Sequence, residues 1–533
     1  MKNIHKKLIG LSFIVLFLFG GCTKDFETMN INPNEPTDVP TAYLLTSAQK
    51  AMCTDLWDEW WNGRLGMLFS QMWSQTSYTD ESRYKMRDGV INNYWIYFYA
   101  SGLEDLERII KLNTDAETKD KAAASGANDN QIAAARILKV WMFQILTDIW
   151  GDIPYSEALK GAENVAPGYD KQQAIYAALL TEVTAARDLI KLDQDGILGD
   201  IIYNGNMAKW KKFANSLKMR LGIRMSKVDP TGAKAAIEEA LASGPFGSID
   251  DNAVFTYFDG VPNNNPLNEN QKIRSDFAVS QVLIEFLKGK NDPRIGFYAN
   301  LPNDLTEYVG FPYGMQPAAA TPISNNVVSM PGNIIYAPTA STFLMLYDEV
   351  EFIKAEAYNS LGVAGNAEQA YYDAITTSMD WWNYLASITQ TGWYRIDGNN
   401  TNILPEPITP TQMDEYMAGA SVAWDPANAE KLIAEQKYIA LYPQGLQAWF
   451  EYNRTSYPNV LILPGAEVVY HIEGVTDTVY TFISTAVDLT TVPLRLYYPP
   501  EEQDLNGASY SAAVASQGPD NFRTHLWWQI PWN

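Results

Sequence analysis

The sequence holds few residues that could supply covalent or metal chemistry. Cysteine occurs twice in 533 residues, at Cys22 and Cys53, which excludes a fold that depends on a framework of disulfides. Two of the three histidines, His471 and His525, lie outside the N-terminal segment, and neither belongs to an HExxH motif. From these shortages we predict no metal site, no cofactor and no catalytic residue.

Phosphate-binding motifs and an excess of positive charge are also missing. The chain has no GxxxxGK(S/T) motif and no GxGxxG turn behind a predicted strand, so nothing indicates a nucleotide-binding enzyme. Basic residues number 39 against 62 acidic ones, which gives a formal net charge of −23. A surface of this charge repels nucleic acid, which we exclude as a partner.

Long apolar runs are confined to the N-terminus. Leu8–Phe19 form an apolar run behind three lysines, and this run is too short to span a bilayer as a helix. Two glycines and Cys22 follow, a pattern that resembles a bacterial lipobox. We predict a lipoprotein signal peptide over residues 1–21, lipidation of Cys22, and a lipid-anchored tether rich in Pro and Asn over residues 22–40. An ordinary signal peptide followed by a chance cysteine is the alternative.

Aromatic residues, in contrast, are abundant. They make up 13% of the chain, with 16 Trp and 31 Tyr, within an apolar fraction of 47% that is typical of a globular fold. Many of these rings are expected to fill a helical core. The remainder suit a surface on which the C–H face of a sugar ring stacks while Asn, Gln and Arg bond its hydroxyls. A peptide can be held by a similar surface, so both ligand classes stay open.

One segment, residues 132–158, combines a strong helix pattern with a sharp end. Apolar residues recur there at steps of three and four, which predicts a helix buried among other helices: Ile132, Ala135, Leu138, Trp141, Ile145 and Ile149. Gly151 suits a left-handed helix terminus, and Pro154 disfavours the helical conformation of the residue before it. We predict that the helix ends here, and that Asp148 and Asp152 bond the amides of this turn.

Helix pairs recur along the chain, and we predict a mostly α fold in which tetratricopeptide-like helix pairs form a scaffold. The predicted pairs are 90–113 with 130–150, 171–191 with 206–226, 343–361 with 366–380, and 427–441 with 444–453. The scaffold therefore occupies residues 90–226 and 343–453. Long loop-rich insertions occupy residues 243–342, 381–410 and 458–500, and the last contains a small predicted β-hairpin with strands at 468–472 and 478–482.

Loops held by a rigid scaffold are the usual place for binding residues. Three stretches, 73–87, 262–274 and 381–400, combine aromatic side chains with Asn, Gln or Arg. We predict that a ligand is bound by residues of these stretches: Trp73, Tyr78, Tyr84, Asn265, Asn268, Trp381, Trp382 and Trp393.

The turn after the helix of residues 132–150 also carries a family signature. Leu146–Ala158 reads LTDIWGDIPYSEA and resembles the TD-x-(Y/W)-GD-(I/V)-PY-S-EA motif of the SusD/RagB family of nutrient-binding outer-membrane lipoproteins. Further similar stretches follow in family order: 210–224, 291–294, 352–357, 436–441, 448–458 and 492–499. The resemblance extends from Cys22 to Asn533 and implies a single SusD-like domain over residues 41–533. Asn453 and Leu494 depart from it, since arginine is common at both positions.

The resemblance implies a non-catalytic protein on the outer face of the outer membrane, anchored by lipid on Cys22. It implies a TonB-dependent SusC-like transporter as partner, to which an oligosaccharide or oligopeptide is delivered. It assigns no ligand contact to any residue of this chain, because the ligand residues of the family lie in variable loops. Two other functions stay open: an α-helical glycoside hydrolase with an acid pair among its 62 acidic residues, and a structural or adhesin-like surface protein.

Overall fold

The computed structural model describes residues 39–396, 403–471 and 477–530. The chain divides into two units, Met1–Pro40 and Thr41–Asn533, and the helices and strands given below belong to the second. The predicted signal peptide and Cys22 lie outside the described residues, as does nearly all of the predicted tether.

The described part of the second unit is predominantly helical, which confirms the predicted fold class. Its longer α-helices are α1 Thr41–Asp55, α2 Asp88–Tyr97, α3 Glu104–Thr114, α4 Asn128–Trp150, α5 Gln172–Leu189, α6 Met207–Arg224, α7 Pro230–Ala242, α8 Gln281–Lys290, α9 Tyr347–Ser360, α10 Ala367–Ile388, α11 Pro410–Met417, α12 Ala429–Ala440, α13 Gly445–Thr455 and α14 Gly507–Gln517. Two π-helices, Glu59–Gly66 and Phe98–Leu103, and several helices of six residues or fewer connect them. None of the helices among the described residues is both long enough and apolar enough to cross a bilayer.

Helix α4 is buried along most of its length and ends where the sequence predicts. Gly151 has φ +88°, and its amide donates to the carbonyl of Thr147 at 2.8 Å. A side chain at Gly151 would also collide with Gln517, whose Oε1 lies 1.9 Å from the position of a Cβ atom. Gln517 itself closes the turn, because its Oε1 accepts from the amide of Asp152 at 2.7 Å and its Nε2 donates to the carbonyl of Trp150 at 2.9 Å. The turn thus requires glycine for both its backbone conformation and its contact with α14.

The two aspartates near this turn have roles other than those predicted. Asp148 is fully buried and accepts from the hydroxyl of Tyr176 at 2.5 Å, while Arg224 lies 3.3 Å away. Burial raises the pKa of Asp148, and Arg224 opposes that rise. Asp152 accepts from the amide of Gln172 at the start of α5, at 2.9 Å. Both carboxylates therefore link α4 to neighbouring helices instead of bonding the amides of the turn.

Several of the predicted helix pairs are present. Helix α3 packs against α4, α5 packs against α6, α9 packs against α10, and α12 contacts α13. Helix α7, which packs against α6, was not predicted from the sequence. A start signal for α7 exists in the sequence: Asp229 accepts from the amide of Gly232 as N-cap, and Pro230 occupies the first turn.

A buried group of charged side chains joins these helices at the centre. Glu451 of α13 lies 2.7 Å from Arg224 of α6, 2.7 Å from Arg454 and 3.1 Å from Lys437 of α12. Burial alone would raise the pKa of Glu451, but Arg454, Lys437 and Arg224 hold it well below its usual value. The group fixes α6, α12 and α13 relative to one another, since any one unpaired charge here would be costly.

The strands form four antiparallel pairs, each of two strands. They are β1 Trp73–Gln75 with β5 Phe277–Val279, β2 Ile153–Pro154 with β3 Tyr169–Asp170, β4 Ala253–Thr256 with β6 Ser341–Met345, and β7 Glu467–Tyr470 with β8 Thr478–Thr481. The pairing of β7 with β8 confirms the predicted hairpin, with Val469 opposite Val479. The pairing of β1 with β5 was not predicted, and it connects the loop stretch 73–87 to the first insertion, residues 243–342.

The predicted second insertion, residues 381–410, begins too early. Residues 381–388 belong to α10, because Trp381, Trp382 and Leu385 continue the buried face of that helix. The prediction that the helix ends at residue 380 was therefore wrong. Residues 397–402 of the same insertion, and Ile472 of the predicted hairpin, lie outside the described residues.

Candidate functional site

The three loop stretches singled out in the sequence adjoin one another around β1 and β5. The amide of Thr76 donates to the carbonyl of Asp276 at 2.9 Å, which extends the pairing of the two strands. The amide of Ile396 donates to the carbonyl of Gln271 at 3.0 Å, which attaches the third stretch to the second. Segments from widely separated parts of the chain thus contribute to one surface.

Buried charged side chains hold this junction together. Arg64 lies 3.4 Å from Glu81 and 2.7 Å from Asp276, and all three residues are buried. Glu81 also accepts from Nε2 of Gln75 at 2.7 Å. Because these groups are desolvated and bonded to one another, the loop 73–87 is held at a fixed position against β5.

On the accessible side of this junction lie Trp60, Tyr78, Arg87 and Arg274, which we term the aromatic–arginine surface. The guanidinium of Arg87 lies 5.0 Å from the ring centroid of Trp60, and that of Arg274 lies 5.6 Å from the ring centroid of Tyr78. Both distances fall within the range of cation–π contacts. The Arg87 and Arg274 side chains are 51% and 40% exposed, so their remaining N–H groups reach solvent.

Each of these arginines is also oriented by a carboxylate. Nε of Arg87 donates to Glu81 at 2.9 Å, and Nη2 of Arg274 lies 2.8 Å from Asp276. The carboxylates are in turn bonded to Arg64 beneath the surface. Two carboxylates thus face three guanidinium groups, which offsets the positive charge in part and leaves Arg87 and Arg274 as positioned donors.

Tyr78 is the most exposed ring of the surface, with 64% of its area accessible. Its backbone has φ +55°, a left-handed conformation that a tyrosine rarely adopts. Its neighbour Thr79 secures this conformation, because the Thr79 hydroxyl donates to the carbonyl of Met315 at 2.6 Å. Strained backbone held by its surroundings is a frequent feature of binding sites.

Two of the predicted ligand residues from the first stretch are core residues. Trp73 is fully buried, and its indole Nε1 donates to the hydroxyl of Tyr442 at 3.0 Å. Tyr84 is 1% exposed, with its ring against Phe69 and Phe482 at centroid distances of 5.4 and 5.5 Å. Neither ring is accessible to a ligand in this conformation, and we do not include them in the aromatic–arginine surface.

The two predicted asparagines shape the backbone of the second stretch. Asn265 accepts from the amide of Leu267 as the N-cap of the helix Pro266–Gln271, and its Nδ2 donates to the carbonyl of Ala340 at 3.0 Å. Nδ2 of Asn268 donates to the carbonyl of Tyr336 at 2.8 Å. Both asparagines are buried, and their amide groups are used within the protein.

The three predicted tryptophans of the third stretch lie in two settings. Trp381 and Trp382 are buried in α10, with Trp381 against Phe343 and Trp382 against Tyr298 at centroid distances of 5.8 and 4.9 Å. Trp393 is half-buried in the loop after α10, and the guanidinium of Arg395 lies 5.8 Å from its ring. Tyr78 and Trp393 are thus the predicted aromatic residues that retain accessible surface.

Sequence reasoning did not select Trp60, Arg87 or Arg274 as ligand residues. Trp60 lies in the π-helix Glu59–Gly66, where an aromatic residue in a helical segment has the pattern of a core residue. In the structure Trp60 is half-buried, and its ring contacts Arg87 of a different segment. Such contacts between distant segments leave no periodic signal in the sequence.

Two buried carboxylates with raised pKa values accept from backbone amides at the start of a helix. Burial raises the pKa of Asp58 and of Asp348 to about 7 in each case. Asp58 accepts from the amides of Trp60 and Trp61, and Asp348 accepts from the amide of Glu349 at 2.7 Å. Within the described residues there is no group of three or more His, Cys, Asp or Glu side chains that could hold a metal ion.

Comparison with protein families gives one match that covers most of the chain. Residues 33–471 match the SusD-like family model described as starch-binding and associating with the outer membrane. A comparison with curated protein sequences gives no match.

Solved structures of the same kind resemble this chain over most of its length. A chitin-binding protein is 26% identical with a TM-score of 0.75, and the alignment covers 92% of this chain and 100% of that one. A chitin-binding SusD homolog from Flavobacterium johnsoniae is 23% identical with a TM-score of 0.69, over 92% of this chain and 98% of that one. A SusD homolog from Bacteroides uniformis is 24% identical with a TM-score of 0.69, over 92% and 100%. The last two similarities bear on the fold alone.

Proposed function

The chain belongs to the SusD-like family, described as starch-binding and associating with the outer membrane, and we propose that it is a non-catalytic protein that binds a glycan at the aromatic–arginine surface. The observation that carries this proposal is that Tyr78, which lies on the anchored loop 73–87, is placed beside Arg274 of the second stretch. An accessible ring and oriented N–H donors are the groups that bind a sugar through its C–H face and its hydroxyls.

A glycan is favoured over a peptide as the ligand. The similar chain with 26% identity is named a chitin-binding protein, and the family description names starch. The arginines of the surface are paired with Glu81 and Asp276, which reduces their attraction for the terminal carboxylate of a peptide. A neutral oligosaccharide accepts hydrogen bonds from the same arginine N–H groups, and its binding does not depend on charge attraction.

The proposal extends to the place of the protein in the cell. Lipid on Cys22 would anchor the chain in the outer membrane, with the binding surface facing the cell exterior. A TonB-dependent SusC-like transporter would receive the bound oligosaccharide. One stacked ring contributes about 1 kcal/mol beyond the area it buries, so binding is weak and the ligand is readily released to the transporter.

Two other functions are distinguishable from binding. A glycoside hydrolase needs an acid and a second carboxylate on opposite sides of the scissile bond. The carboxyl groups of Asp58 and Asp348, whose pKa values are raised to about 7, accept from backbone amides in the first turns of helices. A structural or adhesin-like protein would show no saturable binding of a soluble oligosaccharide.

The test is affinity electrophoresis of the chain without residues 1–21, in gels that contain soluble starch or glycol chitin. We expect retardation in at least one of these gels. The same protein, incubated overnight with maltohexaose and chitohexaose, is expected to leave both oligosaccharides intact by mass spectrometry. Shortened oligosaccharides would overturn the non-catalytic assignment, and mobility unaffected by either polysaccharide would overturn the binding of these glycans.

A further inference from the structure

A second cleft lies apart from the aromatic–arginine surface, between α8 and the hairpin strand β7. Its volume is about 610 Å³, and its third wall is the loop 305–310. This volume is within the range that proteins use to bind small ligands, roughly 300–1,000 Å³. No part of the proposed function uses this cleft.

The walls of the cleft are fixed by backbone hydrogen bonds. The amide of Gln281 donates to the carbonyl of Phe311 at 2.9 Å, and the amide of Phe311 donates to the carbonyl of Val279 at 2.8 Å. Gly310 passes so close to α8 that a Cβ atom there would lie 2.3 Å from the Cα of Gln281. A cleft that is already formed does not need to be ordered when a ligand binds, which lowers the free-energy cost of binding.

The hairpin wall is seated on apolar side chains. Tyr470 of β7 is buried in a cluster with Phe311, Met315 and Val328, against which Tyr480 of β8 also packs. The hydroxyl of Tyr480 donates to the carbonyl of Tyr313 at 2.6 Å. These contacts hold β7 opposite α8.

The lining of the cleft combines rings with compensated charges. Tyr308, Val469 and Tyr470 supply apolar area, and α8 contributes the polar side chains of Glu285 and Lys288. Lys288 lies 3.8 Å from Glu285 and 3.8 Å from Glu307 of the opposite wall. The cleft therefore offers tyrosine rings and several hydrogen-bonding groups with little net charge, which suits an uncharged polyhydroxylated ligand.

Two lining residues carry buried polar atoms that the protein leaves unused. Oε1 of Gln281 and the hydroxyl of Tyr470 have no hydrogen-bond partner among the described residues. A buried polar group without a partner costs about 1–3 kcal/mol. Bound water or a bound ligand ordinarily supplies the missing partner. Gln281 belongs to α8 and Tyr470 to β7, so each of these two opposite walls carries one such unpaired atom.

The cleft continues around α8. A second groove of about 460 Å³ shares Gln281 and Glu285 with it and extends along Phe286 and Lys290 toward Val460. The two spaces together follow the accessible side of the helix. An extended chain of several units fits this form better than a single compact molecule does.

From this geometry we propose that the cleft between α8 and β7 is a second carbohydrate site, which binds a neutral oligosaccharide independently of the aromatic–arginine surface. The inference rests on the proposed function for the class of ligand only. Tyr308 supplies a ring for stacking, and Glu285 and Lys288 bond sugar hydroxyls. With two sites on one chain, a long glycan bound at one is held at a raised effective concentration near the other.

The test is hydrogen–deuterium exchange of the chain without residues 1–21, followed by mass spectrometry. Maltohexaose and chitohexaose serve as probes. We expect at least one probe to slow exchange in peptides that cover residues 281–290 and 305–310. This slowing should persist in Tyr78→Ala, which lacks the exposed ring of the aromatic–arginine surface. It should fall at least five-fold in Tyr308→Ala and in Glu285→Ala. The Glu285 side chain is exposed, so we expect Glu285→Ala to fold normally. It still tests the site by hydrogen–deuterium exchange if Tyr308→Ala folds poorly.

The matched control is Glu238→Ala, an exposed glutamate of α7 that also faces a lysine of its own helix. It should leave the slowing unchanged. No slowing in either segment with either probe, or slowing that vanishes in Tyr78→Ala, would overturn the second site. Failure of the proposed function has a different signature, since exchange in residues 73–87 would then be unaffected by both probes in the unmodified chain.

Discussion

The guanidinium of Arg274 lies 5.6 Å from the ring centroid of Tyr78, and this contact joins the insertion 243–342 to the loop 73–87, which is distant from it in the sequence. Each partner is anchored separately: Arg274 is held by Asp276, and Tyr78 by the hydrogen bond of Thr79 to Met315. The ring is therefore presented to solvent on a support that does not have to be ordered by the ligand.

Arg87 is expected to contribute to glycan binding where its neighbour Lys85 does not. Arg87→Ala removes an oriented donor and the contact with Trp60, and it should weaken oligosaccharide binding by about 1 kcal/mol, roughly five-fold. Lys85→Ala removes an exposed cation that pairs with Asp80, outside the aromatic–arginine surface. Isothermal titration calorimetry of both variants checks this. Equal losses in the two variants would indicate a general charge effect and contradict the assignment.

Trp73 is expected to serve stability and not binding. Trp73→Ala empties a fully buried position and should lower the free energy of unfolding by about 3–5 kcal/mol. Trp393→Ala, at a half-buried loop position, should cost far less. Thermal unfolding followed by circular dichroism measures both. If Trp73→Ala kept the melting temperature of the original chain but lost affinity for oligosaccharide, the burial of this ring would not describe the binding-competent protein.

Asp58 is expected to make stability decrease with rising pH. Its pKa is about 7 in the folded chain, against 3.8 for an aspartate in the unfolded chain. Between pH 3.8 and pH 7, Asp58 is deprotonated in the unfolded chain and protonated in the folded chain. Its contribution to the free energy of unfolding is therefore complete below pH 3.8 and is lost as pH rises through 7. A difference of three pKa units corresponds to about 4 kcal/mol at most.

Asp58→Asn tests this expectation, because asparagine retains an oxygen that can accept from the amides of Trp60 and Trp61. The variant should gain melting temperature relative to the original chain at pH 7.5 and not at pH 4. A gain of the same size at both pH values would show that proton binding at Asp58 is not the cause.

Glu451 is expected to be essential for stability. Glu451→Gln leaves Arg224, Arg454 and Lys437 with one fewer buried anion, which should destabilise the fold by about 3–5 kcal/mol. The pKa of Glu451 is held well below its usual value, so the contribution is present above the unfolded pKa of 4.5 and is lost as pH falls. The difference in melting temperature between the two chains should therefore shrink in acid. Exposed Glu238→Gln is the control, and an equally small effect for both changes would contradict the prediction.

Local patterns in the sequence predicted the scaffold well. The end of α4 follows from Gly151 and Pro154, and the pair α9–α10 follows from apolar periodicity, because both are properties of neighbouring residues. The LTDIWGDIPYSEA segment identified the family, which the match over residues 33–471 confirms. Gln517 shows the limit of such patterns: nothing near it in the sequence indicates that it closes the turn after α4.

The candidate site was predicted less well. Composition selected loops that adjoin one another in the structure, but it could not tell Tyr78 from Trp73, since both are aromatic residues in a polar loop. The difference between them arises from pairing with a distant strand. Trp73 belongs to β1 and lies opposite Val279 of β5, whereas Tyr78 lies beyond the end of β1. Arg274 acquires its role through the same distant pairing.

Titration of the chain lacking residues 1–21 with maltohexaose and chitohexaose, alongside Tyr78→Ala, decides whether glycans bind at the aromatic–arginine surface. We expect saturable binding of at least one oligosaccharide to the unmodified protein. In Tyr78→Ala the affinity of the aromatic–arginine surface should fall at least five-fold, while the melting temperature stays the same. As a control, Tyr43→Ala, which removes an equally exposed tyrosine of α1, should bind as the unmodified protein does. Undiminished affinity in Tyr78→Ala would contradict the claim that glycans bind at the aromatic–arginine surface.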